Sequence, residues 1–107
     1  MMNDKERILR YISGSAKGKL DLRWGYLAEM YLENANLPGA NLSCADLNYV
    51  NLRNANLTGA NLSYADLRGA ILKGANLSGA ILKGANLSGA ILQDSDMTDA
   101  DMTDVIL

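Results

Sequence analysis

The ten residues GAILKGANLS at 69–78 are followed by the same ten at 79–88. Working outward from that pair, Leu or Met stands at position 22 and at every fifth position up to Leu107, 18 positions of which 16 are Leu. Two residues before each lies a second register. From Ala35 onward it has 15 members, 12 of them Ala, with Val50, Ser95 and Val105 as the exceptions. Self-similarity at a fixed period marks a repeat architecture and outranks any element-by-element reading.

A period of five suits neither regular element. Five residues advance an α-helix by about 500°, so the Leu positions would spiral around the axis and form no face. On a long strand five is odd, and successive Leu side chains would fall on opposite sides. Within one unit, however, Ala-x-Leu has period two, which puts both side chains on one face of a very short strand. The two remaining positions must turn the chain. The second of them is Gly39, Gly59, Gly69, Gly74, Gly79, Gly84 or Gly89 in seven units, and Asn34, Asn54, Asp94, Asp99 or Asp104 in five more. These residue types accept positive φ at low cost. Cys44, Tyr49 and Tyr64 occupy the same position, where a different turn type is expected. Each pentapeptide thus reads as a strand and a corner, stacked on the next coil at the ~4.8 Å spacing of hydrogen-bonded strands.

The period alone does not say how many corners close a coil. Here the runs ANLSG, ADLRG and ANLTG match the signature A-[DN]-L-x-x, and AILKG matches it except for Ile in the second place. By these motifs the chain resembles the pentapeptide-repeat family over about four-fifths of its length. The resemblance implies an all-β solenoid, a right-handed quadrilateral β-helix with an N-terminal α-helical cap. For residues 20–107 it implies about four and a half coils, roughly 21 Å tall at the strand spacing. The expected core is Leu37, Leu42, Leu47, Leu52, Leu57, Leu62, Leu67, Leu72, Leu77, Leu82, Leu87, Leu92, Met97 and Met102. Each such side chain contributes on the order of 1.5–3 kcal/mol when buried.

Residues 1–19 are expected to form a capping helix and loop, a feature that members of the family often carry. Asn3 is placed to cap the helix, Glu6 stands three residues on, and Gly14 lies past the end. Ile8, Leu9 and Ile12 would form the apolar stripe. The stretch 24–33 keeps the five-residue register but also admits a short helix; the register favours the β-helix.

Composition narrows the function classes. With 10 basic and 12 acidic residues the net charge is −2, too mild for a nucleic-acid binder. No His and a single Cys leave no basis for zinc, haem, disulfide frameworks or His-dependent acid–base chemistry, so no cofactor is expected. No stretch approaches the ~20 apolar residues of a membrane span, and the N-terminus has no apolar run of signal-peptide length. The expectation is a cytoplasmic protein that binds neither nucleic acid nor membrane.

Twenty residues per coil, as the resemblance implies, convert sequence into surface. Asp94, Asp96, Asp99, Asp101 and Asp104 then spread around one rim and do not converge on an ion; they also lack the Gly and terminal Glu of an EF-hand loop. Cys44 lies between Trp24 and Tyr64 in one corner column with no base in reach, so its expected role is packing. Asn36, Asn56, Asn76 and Asp96 would stack as an amide ladder. The candidate interaction surface comprises Ile71, Ile91, Tyr49, Tyr64, Val105, Ile106 and Leu107. Of these, Ile71 and Ile91 stack on one face, and Val105, Ile106 and Leu107 lie on the last coil. The aromatics of the N-terminal half are expected to contact the helix and loop.

Three functional readings follow. The first is a non-enzymatic scaffold for an unknown protein partner, since a solenoid offers flat ladders to other proteins. Two copies meeting end to end about a two-fold axis, as a weak dimer favoured by salt, are part of this reading. The second is DNA mimicry, because the gyrase-protecting proteins of quinolone resistance share the repeat. The chain departs from their strongly negative rod: Asp46 and Asp66 are the one stacked Asp pair before the central Leu, and Arg53, Arg68, Lys73 and Lys83 interrupt the charge. The third, an enzyme, finds no nucleophile–base or metal arrangement.

Overall fold

Five backbone N–H groups per repeat must find acceptors, and the way they do so defines the molecule. A computed structural model describes residues 2–14 and 16–107. In the repeat 41–45, Asn41 N–H donates to Leu20 O in the preceding coil at 2.9 Å, and Leu42 N–H to Asn61 O in the following coil at 2.7 Å. Cys44 N–H donates to Ser63 O at 2.9 Å, and Ala45 N–H closes the corner on Leu42 O at 3.1 Å. The fifth, Ser43 N–H, is taken by the side chain of Asn41 at 3.2 Å. No donor is left over.

All β-bridges are parallel and join residues twenty apart, from Asp21↔Asn41 to Asn86↔Ile106. One coil is therefore four pentapeptides, and the coil has four sides. The molecule measures 35 × 20 × 19 Å, with the two nearly equal transverse dimensions that a square section requires. The bridges Asp21↔Asn41, Tyr26↔Asp46 and Tyr31↔Asn51 place the stretch 24–33 in the β-helix rather than in a helix.

Leu22, Leu27, Leu32 and the Leu positions from Leu37 to Leu87 are buried, together with Val50 and the Ala register between them. Leu92, Met97 and Met102, expected in the core, are instead half-buried and packed against it, as is Val105. They belong to the coil at 88–107, the last described, and are packed on the coil before it. Leu107 is 81% exposed.

Every second turn residue from Trp24 to Asp104 has positive φ, and the corners share the i to i+3 bond, so the turns are type II throughout. This corrects the expectation for Cys44, Tyr49 and Tyr64, whose φ values of 58°, 56° and 58° follow the same geometry as Gly39 at 68°. Holding a non-Gly residue there costs about 1–2 kcal/mol. The ladder imposes it: Tyr49 N–H bonds Arg68 O at 2.9 Å and Tyr64 N–H bonds Lys83 O at 2.8 Å only in that conformation.

At the N-terminus, helix α1 spans Asp4–Ile12. Glu6 N–H donates to Asn3 Oδ1 at 2.8 Å, the expected cap. Ile8 is fully buried against the first coil with Tyr11 and Ile12 packed beside it, whereas Leu9 is 47% exposed. The apolar stripe is thus Ile8, Tyr11 and Ile12, the i, i+3, i+4 set of one helix face; Leu9 lies off it. The helix also supplies partners to the first coil, whose edge has no preceding coil to pair with. Arg7 Nη2 donates to Asp21 O at 2.7 Å, and Tyr26 N–H donates to Asp4 Oδ2 at 2.9 Å.

A candidate interaction surface

The residue before each central Leu points outward, and its chemistry is set by the turn that follows. Asn or Asp at this position accepts the N–H two residues on: Asp46 from Asn48 at 3.1 Å, Asn61 from Ser63 at 3.0 Å, Asp66 from Arg68 at 3.1 Å, Asp101 from Thr103 at 3.0 Å. This is an Asx-turn repeated around the solenoid. It corrects the expected amide ladder, because the amides serve their own turns. Among the described residues one side-chain amide bond does run between coils, Asn56 Nδ2 to Asn36 Oδ1 at 3.1 Å. The cause is local: the residue two past Asn36 is Pro38, which has no N–H, so the Asn36 oxygen is free.

On one wall the outward column runs Tyr26–Asp46–Asp66–Asn86–Ile106. The corner before it carries Trp24, Cys44, Tyr64 and Gly84, and the corner after it Glu29, Tyr49, Gly69 and Gly89. Trp24 is 79% exposed, Tyr26 60%, Tyr49 63% and Tyr64 59%, so four aromatics stand on or beside one wall. Among the described residues Tyr26 meets the helix, with Lys5 Nζ 5.3 Å from its ring centroid; Trp24, Tyr49 and Tyr64, expected to contact the helix and loop, are largely exposed. Tyr49 and Tyr64 lie instead over the glycines one coil on. A Cβ at Gly69 would fall within the Tyr49 ring, and one at Gly84 within the Tyr64 ring. The rings are held against the wall, and Gly69 and Gly84 are needed for space as well as for φ.

Between the aromatic corners Arg68 grips Asp66 with two parallel bonds, Nε to Oδ1 at 2.9 Å and Nη2 to Oδ2 at 2.7 Å. The hydrogen bond from Arg68 is the main cause holding the Asp66 carboxyl below its ordinary value, against a smaller opposing effect of burial. The Arg23 hydrogen bond does the same for Asp21, and the Thr98 and Thr103 hydroxyls for Asp96 and Asp101.

The other expected surface residues are divided among places. Ile71 and Ile91 are bridged on the adjacent wall with Asn51 below them, Ile91 being 47% exposed. Ile106, 52% exposed, continues the aromatic wall; Leu107 is exposed in the inward register, and Val105 is half-buried and packed against the core. Tyr64 therefore shares a wall with Ile106 but not with Ile71 and Ile91, whereas Tyr49 stands at the corner between the two walls. The participation of Trp24 and Tyr26 was visible only as a local excess of aromatics; their wall depends on the twenty-residue coil. Cys44 is a free, partly exposed thiol between Trp24 and Tyr64. Among the described residues no three His, Cys, Asp or Glu side chains gather as a metal site, and no helix is long and apolar enough to cross a membrane.

A family model of pentapeptide repeats matches residues 20–48, 39–74 and 70–107, in 8 copies. Among solved structures, the chain is 40% identical to the pentapeptide repeat protein alr5209 from Nostoc PCC 7120. It aligns over 89% of its own length and 75% of that chain, with a TM-score of 0.78. It is 34% identical to the pentapeptide repeat protein Rfr23 from the cyanobacterium Cyanothece 51142, over 82% of its own length and a TM-score of 0.76, and spans only 59% of that chain. No curated protein sequence matches it. Repeat, hydrogen-bonding pattern and matches agree: the chain belongs to the pentapeptide-repeat family, whose members are right-handed quadrilateral β-helices.

Proposed function

We propose that the chain is a non-enzymatic scaffold that holds a protein partner against the wall carrying Trp24, Tyr26, Tyr49 and Tyr64. The observation that supports this reading is the exposure of these four aromatics on one rigid wall, since exposed aromatics rimmed by polar groups mark interaction sites. Tyr49 and Tyr64 lie against glycines and Tyr26 beneath Lys5, so little ordering entropy remains to be lost when a partner binds. The Asp66–Arg68 pair and Asp46 supply the polar groups between them.

The test uses Tyr49→Gly and Tyr64→Gly combined, because glycine keeps the left-handed corner and removes only the ring. Proteins retained from the native host by the parent chain and released by this variant, at unchanged circular dichroism, support the reading. Retention indifferent to both rings refutes it.

A further inference from the structure

We propose that the cleft between α1 and the first coil is a binding site for a soluble phosphate-bearing anion, of the size of pyrophosphate or the phosphate of a small phosphomonoester. The cleft has a volume of about 190 Å³, below the ~300 Å³ at which drug-sized pockets begin, and Arg7, Arg10, Lys17, Lys19 and Tyr11 line it. Six of the chain's 10 basic residues fall within the first 23 positions, although the whole chain is acidic.

The cations in the cleft lack counter-charges. Asp21 is the single acid among its walls, and its carboxylate is already engaged by Arg23, at 3.1 and 3.0 Å. Arg7 is partly committed, to the Asp21 carbonyl and, at 3.6 Å, to Asp4. Among the described residues the Arg10 guanidinium reaches the sulfur of Met2 at 3.5 Å, a weak acceptor, and no carboxylate. Among the described residues Lys17 and Lys19 form no ion pair. Three uncompensated cations around one small cleft repel each other until an anion is placed between them.

The composition of the walls selects the anion. A guanidinium presents the fork that matches phosphate oxygens, and ammonium groups add point charges. A lone carboxylate would offset one of the three charges, whereas a multiply charged phosphate offsets two or more. A long polyanion or an anionic bilayer fits worse. Six of the 10 basic residues gather at this end, while Asp94, Asp96, Asp99, Asp101 and Asp104 ring the other and Arg53, Arg68, Lys73 and Lys83 are scattered between.

Calorimetric titration with sodium pyrophosphate at constant ionic strength, against a sodium chloride blank, tests the site. The expected result is saturable binding at millimolar or lower concentration. Arg10→Glu, and separately Lys17→Glu with Lys19→Glu, should each weaken it by at least about tenfold, the loss of one charge-assisted contact. All three side chains are exposed, and circular dichroism confirms that the variants keep the fold. No saturable heat at millimolar pyrophosphate, or equal affinity in parent and variants, overturns the proposal. A third arm measures sedimentation with vesicles of phosphatidic acid in phosphatidylcholine. Capture by these vesicles without any response to pyrophosphate overturns the assignment to a soluble ligand.

Discussion

Replacing Leu57 by Ala removes three carbons from a side chain with 0% exposure. At ~0.8 kcal/mol per buried methylene the transfer loss is about 2.4 kcal/mol. A cavity adds to this where the surroundings cannot collapse, and Leu→Ala losses reach ~5 kcal/mol. Leu57 sits between Leu37 and Leu77, both at 0% exposure and twenty residues away in adjoining coils whose spacing is fixed by the bridges Asn36↔Asn56 and Asn56↔Asn76. Collapse is blocked from above and below, so Leu57→Ala should cost ~3–5 kcal/mol. Met97, on the same side but half-buried, should cost ~1–2 kcal/mol on the same substitution, since less of its surface leaves water on folding. Thr58→Ala, next to Leu57 but outward, should change stability by less than ~0.5 kcal/mol. Urea denaturation followed by circular dichroism measures all three. A Thr58→Ala loss as large as that of Leu57→Ala would refute the inward register; equal losses at Leu57 and Met97 would refute the idea that coil-on-coil contact sets the cavity term.

Asn61→Ala should cost ~1 kcal/mol because the Ser63 N–H and hydroxyl lose their acceptor, whereas Asn36→Ala, preceding Pro38, should cost less than half of that; equal effects in urea melts would discredit the Asx-turn account. Acid should destabilise the fold. Asp21, Asp66, Asp96 and Asp101 all titrate below the ordinary 3.8 in the folded chain, so their stabilisation is complete above the unfolded value and lost as pH falls through the folded one. The urea midpoint should therefore be level from about pH 7 to 5 and drop below about pH 4, and a midpoint unchanged at pH 3 would contradict this. In a supercoiling assay with and without quinolone the protein should neither inhibit nor protect DNA gyrase, because Arg68 neutralises one of the two stacked carboxylates, Asp46 and Asp66; protection at micromolar protein would overturn that expectation.

The signature A-[DN]-L-x-x acquires a physical reading from these contacts. Ala and Leu fill the bore, and the second turn residue carries the positive φ. Asn or Asp supplies an acceptor for the one N–H that the coils cannot pair. In the AILKG units Ile71 and Ile81 give up that acceptor, which places the loss at the corners of Lys73, half-buried, and Lys83, exposed. The corner tolerates the omission because water can serve it there.

What the sequence determined by itself is whatever repeats locally. The five-residue spacing of Leu, the Ala two residues earlier and the Gly, Asn and Asp corners assign inward and outward positions without reference to any other coil, since side-chain alternation and turn chemistry act over two to four residues. The cap at Asn3 was legible for the same reason. Four features were settled only by the tertiary structure, because each depends on contacts across coils or between helix and coil. The four-sided closure rests on bonds between residues twenty apart. The turn at Tyr49 and Tyr64 is dictated by the ladder against the residues' own preference, and the rings find space only because Gly69 and Gly84 follow one coil later. The inward face of α1 is chosen by the coil beneath it, which takes Tyr11 rather than Leu9. The aromatic wall itself joins Trp24, Tyr26, Tyr49 and Tyr64, up to forty residues apart, because winding the chain in twenties brings distant corners into register, and no local preference encodes that length.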